Sequence, residues 1–68
     1  MFNEAKLRGK IAEARCTVSS LAHKLNINAS TLFRKINGAS DFTRQEIIDI
    51  AAILNLSDDD VLDIFFAD

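Results

Sequence analysis

The sequence predicts an all-α domain of five helices and no strand. Apolar residues recur three and four positions apart along most of the chain, which is the spacing of an amphipathic helix. The composition agrees, because the chain has no proline and two glycines, too few for a turn-rich β fold. Its 68 residues leave no room for a second domain, so we expect one domain over residues 1–68.

The first helix is expected to follow the capping residue Asn3 and to end near Arg15. Leu7, Ile11 and Ala14 then share its buried face, because they lie four and three residues apart. The charged residues of the segment fall outside this face, where solvent can reach them.

The second helix, Val18–Leu25, is expected to begin after the capping residue Thr17. Cys16 precedes the cap and Leu21 lies in the following turn, a pattern typical of a hydrophobic staple. Cys16 is therefore predicted to be a packing residue rather than a reactive thiol. The buried stripe is expected to comprise Leu21, Ala22 and Leu25. His23 lies off this stripe, and a phosphate contact is the alternative to plain exposure.

A three-residue turn, Asn26 to Asn28, separates the second helix from the third. Asn26 tolerates the left-handed conformation that a tight helix exit requires, and Ile27 is expected to fill the core between the two helices. Asn28 is predicted to cap the third helix, Ala29–Ile36. Gly38 suits the left-handed position after its end.

Two further helices are predicted after a loop in which Phe42 is the apolar anchor. Thr43 and Glu46 have the spacing of a capping box and open the fourth helix. Its apolar residues at helical spacing are Ile47, Ile50, Ala51 and Leu54. Ser57 is predicted to cap the fifth helix, and the aspartates at 58–60 complement its dipole. These aspartates lack the glycine and the terminal glutamate of a calcium loop, so no metal site is predicted.

Charge is distributed unevenly along the chain. Residues 1–38 carry seven basic and two acidic residues, a net charge of +5, whereas residues 39–68 carry one basic and eight acidic residues, a net charge of −7. A basic half can present a positive face to phosphate even though the whole chain carries −2. The alternative is two solvated surfaces of different composition.

Several classes of function find no support in the sequence. One cysteine cannot form an internal disulfide, and Cys16 and His23 are too few ligands for zinc. No hydrolase-like arrangement of nucleophile and base is evident, so we expect no enzyme, no cofactor and no small-molecule ligand. No apolar run approaches the ~20 residues of a membrane span, and the start of the chain has no signal segment. The expectation is a cytoplasmic protein without membrane contact.

The segment 17–38 meets the requirements of a helix-turn-helix. Such a unit packs a first helix across a second through small and aliphatic residues, and leaves the outer face of the second helix free for the DNA major groove. Leu21 and Ala22 supply the close contact, while Leu32 and Ile36 hold the second helix against the core.

The order of residues in this segment is distinctive. It follows LAxxLxIxxSTLxRKIxG, and is continued by SDFTRQEI and the apolar ending DIFFA. In this order the sequence resembles the repressor/Cro type of helix-turn-helix of bacteriophage regulators and their bacterial relatives, and within that family the short phage-encoded Cro-like regulators. The resemblance covers nearly the whole chain. One departure is Asn26, which stands where the family usually has glycine.

The resemblance implies which residues contact DNA. Base edges are expected to be read from the third helix by Ala29, Ser30, Phe33 and Arg34. Arg34 is the best candidate, because a guanidinium can bond O6 and N7 of guanine together. The alternatives are that Arg34 and Lys35 form a solvated basic pair that offsets the helix dipole and, for Phe33, a place in the core. The phosphate candidates are Thr17, Val18, Ser19, Asn28, Lys35, Asn37 and Arg44. Lys6 and Lys10 either attract DNA electrostatically from the first helix or are ordinary surface residues.

The resemblance also implies a dimer, since proteins of this type bind two half-sites about 34 Å apart. The fifth helix is apolar on more than one side, which predicts a homodimer, formed free or on DNA, through Leu62, Phe65 and Phe66. The alternative is that both phenylalanines complete the core. The function implied is a sequence-specific transcriptional regulator, a Cro-like repressor of phage or prophage that binds a double-stranded DNA operator. The alternative function is a protein-interaction module, such as an antirepressor or an antitoxin-like partner.

Overall fold

A computed structural model of the protein describes residues 2–67, and these form five α-helices without a strand. The helices are α1 (Glu4–Glu13), α2 (Val18–Leu25), α3 (Ala29–Ile36), α4 (Arg44–Leu54) and α5 (Asp58–Phe65). The predicted all-α class with five helices is confirmed, and the bounds predicted for α2 and α3 are correct.

One hydrophobic core joins all five helices. Each helix contributes buried aliphatic side chains to a single cluster of Leu7, Ile11, Leu21, Ala22, Leu32, Ile36, Ile50, Leu54 and Ile64. Full burial of a large side chain of this kind contributes about 1.5–3 kcal/mol to folding. α2 packs against α3 and α4, while α1 packs against α5. The pairing of α2 with α3 is the helix-turn-helix that the sequence predicts.

Four of the helices end in the same backbone turn. It places one residue at a φ between +55° and +86°, at Arg15, Asn26, Gly38 and Asn55. The N–H of the next residue then donates to a carbonyl five residues back, as from Ile27 to Ala22. This bond satisfies a carbonyl at the helix end and reverses the chain. The left-handed positions predicted for Asn26 and Gly38 are therefore confirmed.

The end of α1 differs from the prediction. The helix closes at Glu13, two residues before Arg15, since the N–H of Cys16 turns back to the carbonyl of Ile11. The residue type at position 15 does not predict this turn, because arginine rarely adopts the left-handed conformation. Ala14 is the residue that follows the last residue of α1 and is exposed, so its predicted place in the core is wrong.

The predicted helix caps form in four of five cases. The side chains of Asn3, Thr17, Thr43 and Ser57 each accept a hydrogen bond from the N–H three residues further on. Asn28 stands at the capping position of α3, but its side chain makes no capping bond, so this part of its prediction is wrong. Asn28 is exposed, and water can satisfy the first N–H groups of α3 in place of its side chain.

Phe42 anchors the loop before α4, as predicted. The centre of its ring lies 5.3 Å from the ring of Phe2 and 5.3 Å from that of Phe65. Phe65 is half-buried and packs against the core, whereas Phe66 is 58% exposed. The two phenylalanines therefore divide between core and surface.

Candidate nucleic-acid interface

The outer face of α3 is polar, and its inner face fixes it to the core. Leu32 and Ile36 are fully buried. With about 3.6 residues per turn, the exposed residues Ser30, Thr31 and Arg34 lie on the opposite side of the helix. The Arg34 guanidinium forms no ion pair or hydrogen bond within residues 2–67. Its donors are therefore available to an external acceptor.

Two residues predicted to contact bases lie at the edge of this face. Ala29 is half-buried and packs against the core, which leaves it little free surface. Phe33 is 42% exposed, because the helix turns it away from Arg34 toward the core edge.

Thr31 is exposed on the outer face of α3 but is absent from the residues predicted to contact bases. Helical spacing alone could have identified Thr31, since it lies three residues before Arg34 on the same face.

The start of α2 presents free backbone donors. The Thr17 hydroxyl accepts a hydrogen bond from the Ser20 N–H, and the Ser20 hydroxyl bonds the Thr17 N–H in return. The N–H groups of Val18 and Ser19 have no partner within residues 2–67. The Val18 side chain packs against the core, so only its backbone is available. Free N–H groups at a helix start suit a phosphate oxygen.

Lys35, which is predicted to contact phosphate, already donates hydrogen bonds to other residues of the protein. Its Nζ donates to Glu46 Oε1 at 2.8 Å and to the Asp41 carbonyl oxygen at 3.0 Å, and its side chain is 12% exposed. Burial raises the pKa of Glu46, but hydrogen bonds from Lys35 and from the Thr43 N–H outweigh burial and lower that pKa overall. Lys35 therefore ties α3 to the start of α4.

The remaining phosphate candidates differ in what they already bind. Asn28 is exposed and its side chain has no hydrogen bond within the described chain. The Oδ1 of Asn37 accepts a bond from Arg8 Nη2 at 3.2 Å, which leaves its amide nitrogen free to donate. Arg44 is exposed at the first residue of α4 and forms no ion pair within residues 2–67.

Lys6, Lys10, Asp60 and Asp63 form a charge cluster between α1 and α5. Lys6 Nζ lies 2.8 Å from Asp63 and 3.6 Å from Asp60, and Lys10 Nζ lies 3.5 Å from Asp60. The hydrogen bond from Lys6 to Asp63 raises the pKa of Lys6. The Ser57 N–H, together with the two ammonium groups, lowers the pKa of Asp60. The two lysines thus neutralise acidic residues of the same chain.

Ion pairs remove half of the basic side chains from the free positive surface. Lys6, Lys10 and Lys35 are paired as described, and Arg8 pairs with Glu4 at 2.8 Å. The cations without an ion pair within residues 2–67 are Arg15, Lys24, Arg34 and Arg44. The charge of +5 counted over residues 1–38 therefore overstates the positive surface, because the count cannot show which acids fold back onto it.

Cys16 and His23 lie in the surroundings that the sequence predicts for them. Cys16 is half-buried against the core with its Sγ 3.3 Å from Ser20 Oγ, as expected of a packing residue. His23 is exposed, as predicted. Between residues 2 and 67, no group of three or more His, Cys, Asp or Glu is arranged to hold a metal. Over the same range, no helix combines the length and apolar character needed to cross a bilayer.

α2 and α3 pack against each other, are joined by a three-residue turn, and leave a polar face of α3 free. This arrangement defines a helix-turn-helix domain. A family model of the Cro/C1-type helix-turn-helix DNA-binding domain matches residues 6–66. The chain belongs to this family of DNA-binding domains, and the predicted helix-turn-helix family is confirmed. Comparisons with curated proteins and with solved structures give no match.

Proposed function

We propose that the protein is a sequence-specific transcriptional regulator, a Cro-like repressor of phage or prophage type that inserts α3 into the major groove of double-stranded DNA. The observation that carries the proposal is the free guanidinium of Arg34 on the exposed polar face of α3. Membership of a family of DNA-binding domains supports DNA as the ligand. Such a regulator works in the cytoplasm.

Base recognition is assigned to the outer face of α3. Arg34 can donate two hydrogen bonds to O6 and N7 of one guanine, the commonest specific contact of a side chain in the major groove. The hydroxyls of Ser30 and Thr31 can bond either kind of base, and both are exposed beside Arg34. Ala29 and Phe33 offer apolar contact to a thymine methyl from the edge of the face.

Phosphate contacts are assigned to groups that are free to make them. These are the N–H groups of Val18 and Ser19, the hydroxyl of Ser19, the hydroxyl proton of Thr17, the amide of Asn28 and the amide nitrogen of Asn37. They fix the orientation of the protein on the duplex without reading sequence. Lys35 contributes indirectly, because its bond to Glu46 holds α3 in place.

We also propose that the protein binds DNA as a homodimer on two half-sites about 34 Å apart. Leu62 and Phe66, two of the three residues predicted to form the interface, are 55% and 58% exposed. Exposed apolar side chains on neighbouring turns often mark a partner surface. Phe65 has a smaller part in it, because its ring already packs against Phe2 and Phe42.

The experiment is selection of binding sequences from a random duplex library, followed by fluorescence anisotropy on the selected duplex. Arg34→Ala is expected to weaken specific binding by ~1–3 kcal/mol, about 5- to 150-fold, and to relax the preference at one base position. Lys24→Ala is the matched control, because it also removes a cation without an ion pair but lies in α2, where its Nζ contacts only Cys16 Sγ within residues 2–67, at 4.0 Å. We expect Lys24→Ala to leave the ratio of specific to random-sequence affinity unchanged.

Two results would contradict the proposal. If no sequence is enriched and the folded protein does not bind duplex DNA at low salt, the protein does not read DNA. The alternative function, a protein-interaction module such as an antirepressor or antitoxin-like partner, would then be tested by pull-down. If both substitutions weaken all duplexes equally, Arg34 acts as a general cation and not as a base reader.

A further inference from the structure

An apolar groove between α4 and α5 is open to solvent. Its volume is about 420 Å³, and it is lined by Ile47, Ile48, Ala51, Asp58, Val61 and Leu62. Ile48 is 53% exposed and Leu62 is 55% exposed. A contiguous aliphatic surface of this kind on a small domain marks a contact site more often than scattered exposed residues do. The sequence predicted Leu62 in such a site but not Ile48.

The two ends of this groove carry opposite charges. Asp58 lines one end, where α5 begins after a turn of three residues that follows the end of α4. Arg44 precedes Ile47 and Ile48 by three and four residues, so it lies on the same side of α4 at the other end. Ile47 and Phe66 line a common pocket, in agreement with the start of α4 lying near the end of α5. Neither Arg44 nor Asp58 has an ion pair within residues 2–67.

We propose that the groove binds a second copy of the chain across a two-fold axis, with Arg44 of each copy paired with Asp58 of the other. The inference rests on the proposed homodimer and names its surface. A two-fold axis perpendicular to α4 makes the grooves of the two copies antiparallel. The basic end of each groove then faces the acidic end of the other. An axis along α4 would set Arg44 against Arg44 and Asp58 against Asp58, and is disfavoured by charge.

A second copy fits the groove because it supplies the same aliphatic surface and both charges at once. Ile48 and Leu62 of the two copies can cover each other, which is how a self-complementary two-fold interface works. Stable interfaces bury about 800 Å² on each partner. Because only six residues line this groove, we expect the free dimer to be weak and DNA to strengthen it. With extents of 28 × 24 × 20 Å, two copies in contact can reach half-sites about 34 Å apart.

This arrangement assigns Arg44 to the partner subunit and not to phosphate. The two assignments predict different results on a duplex that carries a single half-site, which binds one copy. Loss of a phosphate contact would reduce the salt dependence of half-site binding by about one charge. Loss of a partner contact leaves half-site binding unchanged and weakens only the dimer.

The test is a charge exchange followed by sedimentation equilibrium at low salt without DNA. Arg44→Asp and Asp58→Arg are each expected to weaken dimerisation at least ~10-fold, because each creates like charges across the axis. The double variant is expected to restore the wild-type dimer constant to within about 3-fold. Ile48→Glu, at an exposed position, is expected to abolish the dimer, and circular dichroism verifies that every variant is folded.

Asp59→Arg is the matched control, because it makes the same charge change one residue further on and Asp59 does not line the groove. Its dimer constant is expected to equal that of the wild type. The inference is overturned if the wild type stays monomeric up to about 1 mM, if the double variant dimerises as weakly as the single variants, or if Asp59→Arg acts like Asp58→Arg. If dimerisation fails while half-site binding persists, this inference and the proposed homodimer are wrong, whereas the proposed reading of DNA by α3 stands. If the exchange rescues the dimer while DNA binding fails, only the proposed function is wrong.

Discussion

Arg34 and Lys35 are neighbours in α3, yet their charged groups have different surroundings. Arg34 is exposed and has no partner within residues 2–67. Lys35 is 12% exposed and bonded to Glu46 and to the Asp41 carbonyl. Withdrawing a lysine from a hydrogen-bonded, half-buried pair costs free energy, because its acceptor is left unsatisfied. Arg34 is therefore free for the recognition that we propose, whereas Lys35 ties α3 to the start of α4.

Lys35→Met tests this division of roles. We expect the free energy of unfolding to fall by about 1–2 kcal/mol, since Glu46 loses a charge-assisted hydrogen bond in a half-buried position. Urea unfolding measures this loss. The salt dependence of DNA binding is expected to stay unchanged, as measured by anisotropy over a salt series. A reduction of the salt slope by about one charge without loss of stability would instead put Lys35 on a phosphate.

The pH dependence of the same variant is its control. The pKa of Glu46 is lower in the folded protein than its ordinary value. Such a carboxylate contributes stability above its unfolded pKa, about 4.3, and the contribution is lost as pH falls through the folded pKa. The stability difference between wild type and Lys35→Met should therefore be largest above about pH 5 and shrink on acidification. A difference that stays constant down to about pH 3 would show that another interaction is responsible.

At the scale of elements, local signals define α2 and α3 better than α1. Thr17 caps α2 and Asn26 ends it in the left-handed conformation, and both features can be read from residue types alone. Arg15 makes the same turn after α1, but its residue type does not predict it. Asn28 shows the opposite failure, since a good capping residue makes no capping bond. A cap is therefore predictable in position, whereas its hydrogen bond depends on the surrounding structure.

Paired alanine substitutions measure that difference between caps. Thr43→Ala is expected to lower the free energy of unfolding by about 1 kcal/mol, because the Thr43 hydroxyl accepts the Glu46 N–H at 3.1 Å. Asn28→Ala is expected to lower it by only a few tenths of a kcal/mol, since no capping bond is lost. Urea unfolding of both variants gives the comparison. Equal losses would mean that Asn28 caps α3 in solution.

At the scale of the whole molecule, the acidic second half folds onto the basic first half. The charge cluster of Lys6, Lys10, Asp60 and Asp63 joins α1 to α5. Sequence reasoning identified Arg34 and Ser30 as part of the outer face of α3, because helical spacing reports which side is buried. It missed the cluster and the groove, because proximity between residues far apart in the chain cannot be read from local pattern.

Asp63→Asn tests the cluster without disturbing the cap of α5, which uses Asp60. At low salt we expect a lower urea midpoint than in the wild type, because the closest ion pair of Lys6 is lost. The effect should be modest, since Asp63 is 62% exposed, and it should disappear near 1 M salt, where screening acts within about 3 Å. Asp59→Asn is the matched control and should leave the midpoint unchanged. A salt-independent difference would argue against an electrostatic cause.

Guanine analogues test whether α3 reads a base through Arg34 in the major groove, as we propose. The measurement is the affinity of wild type and Arg34→Ala for selected duplexes in which the guanine assigned to Arg34 is replaced. 7-Deazaguanine lacks the N7 acceptor of the major groove, while inosine lacks only the minor-groove amino group. We predict that 7-deazaguanine weakens the wild type, has little further effect on Arg34→Ala, and that inosine affects neither. Additive losses from 7-deazaguanine and Arg34→Ala, or equal losses from the two analogues, would show that Arg34 does not bind N7 of this guanine.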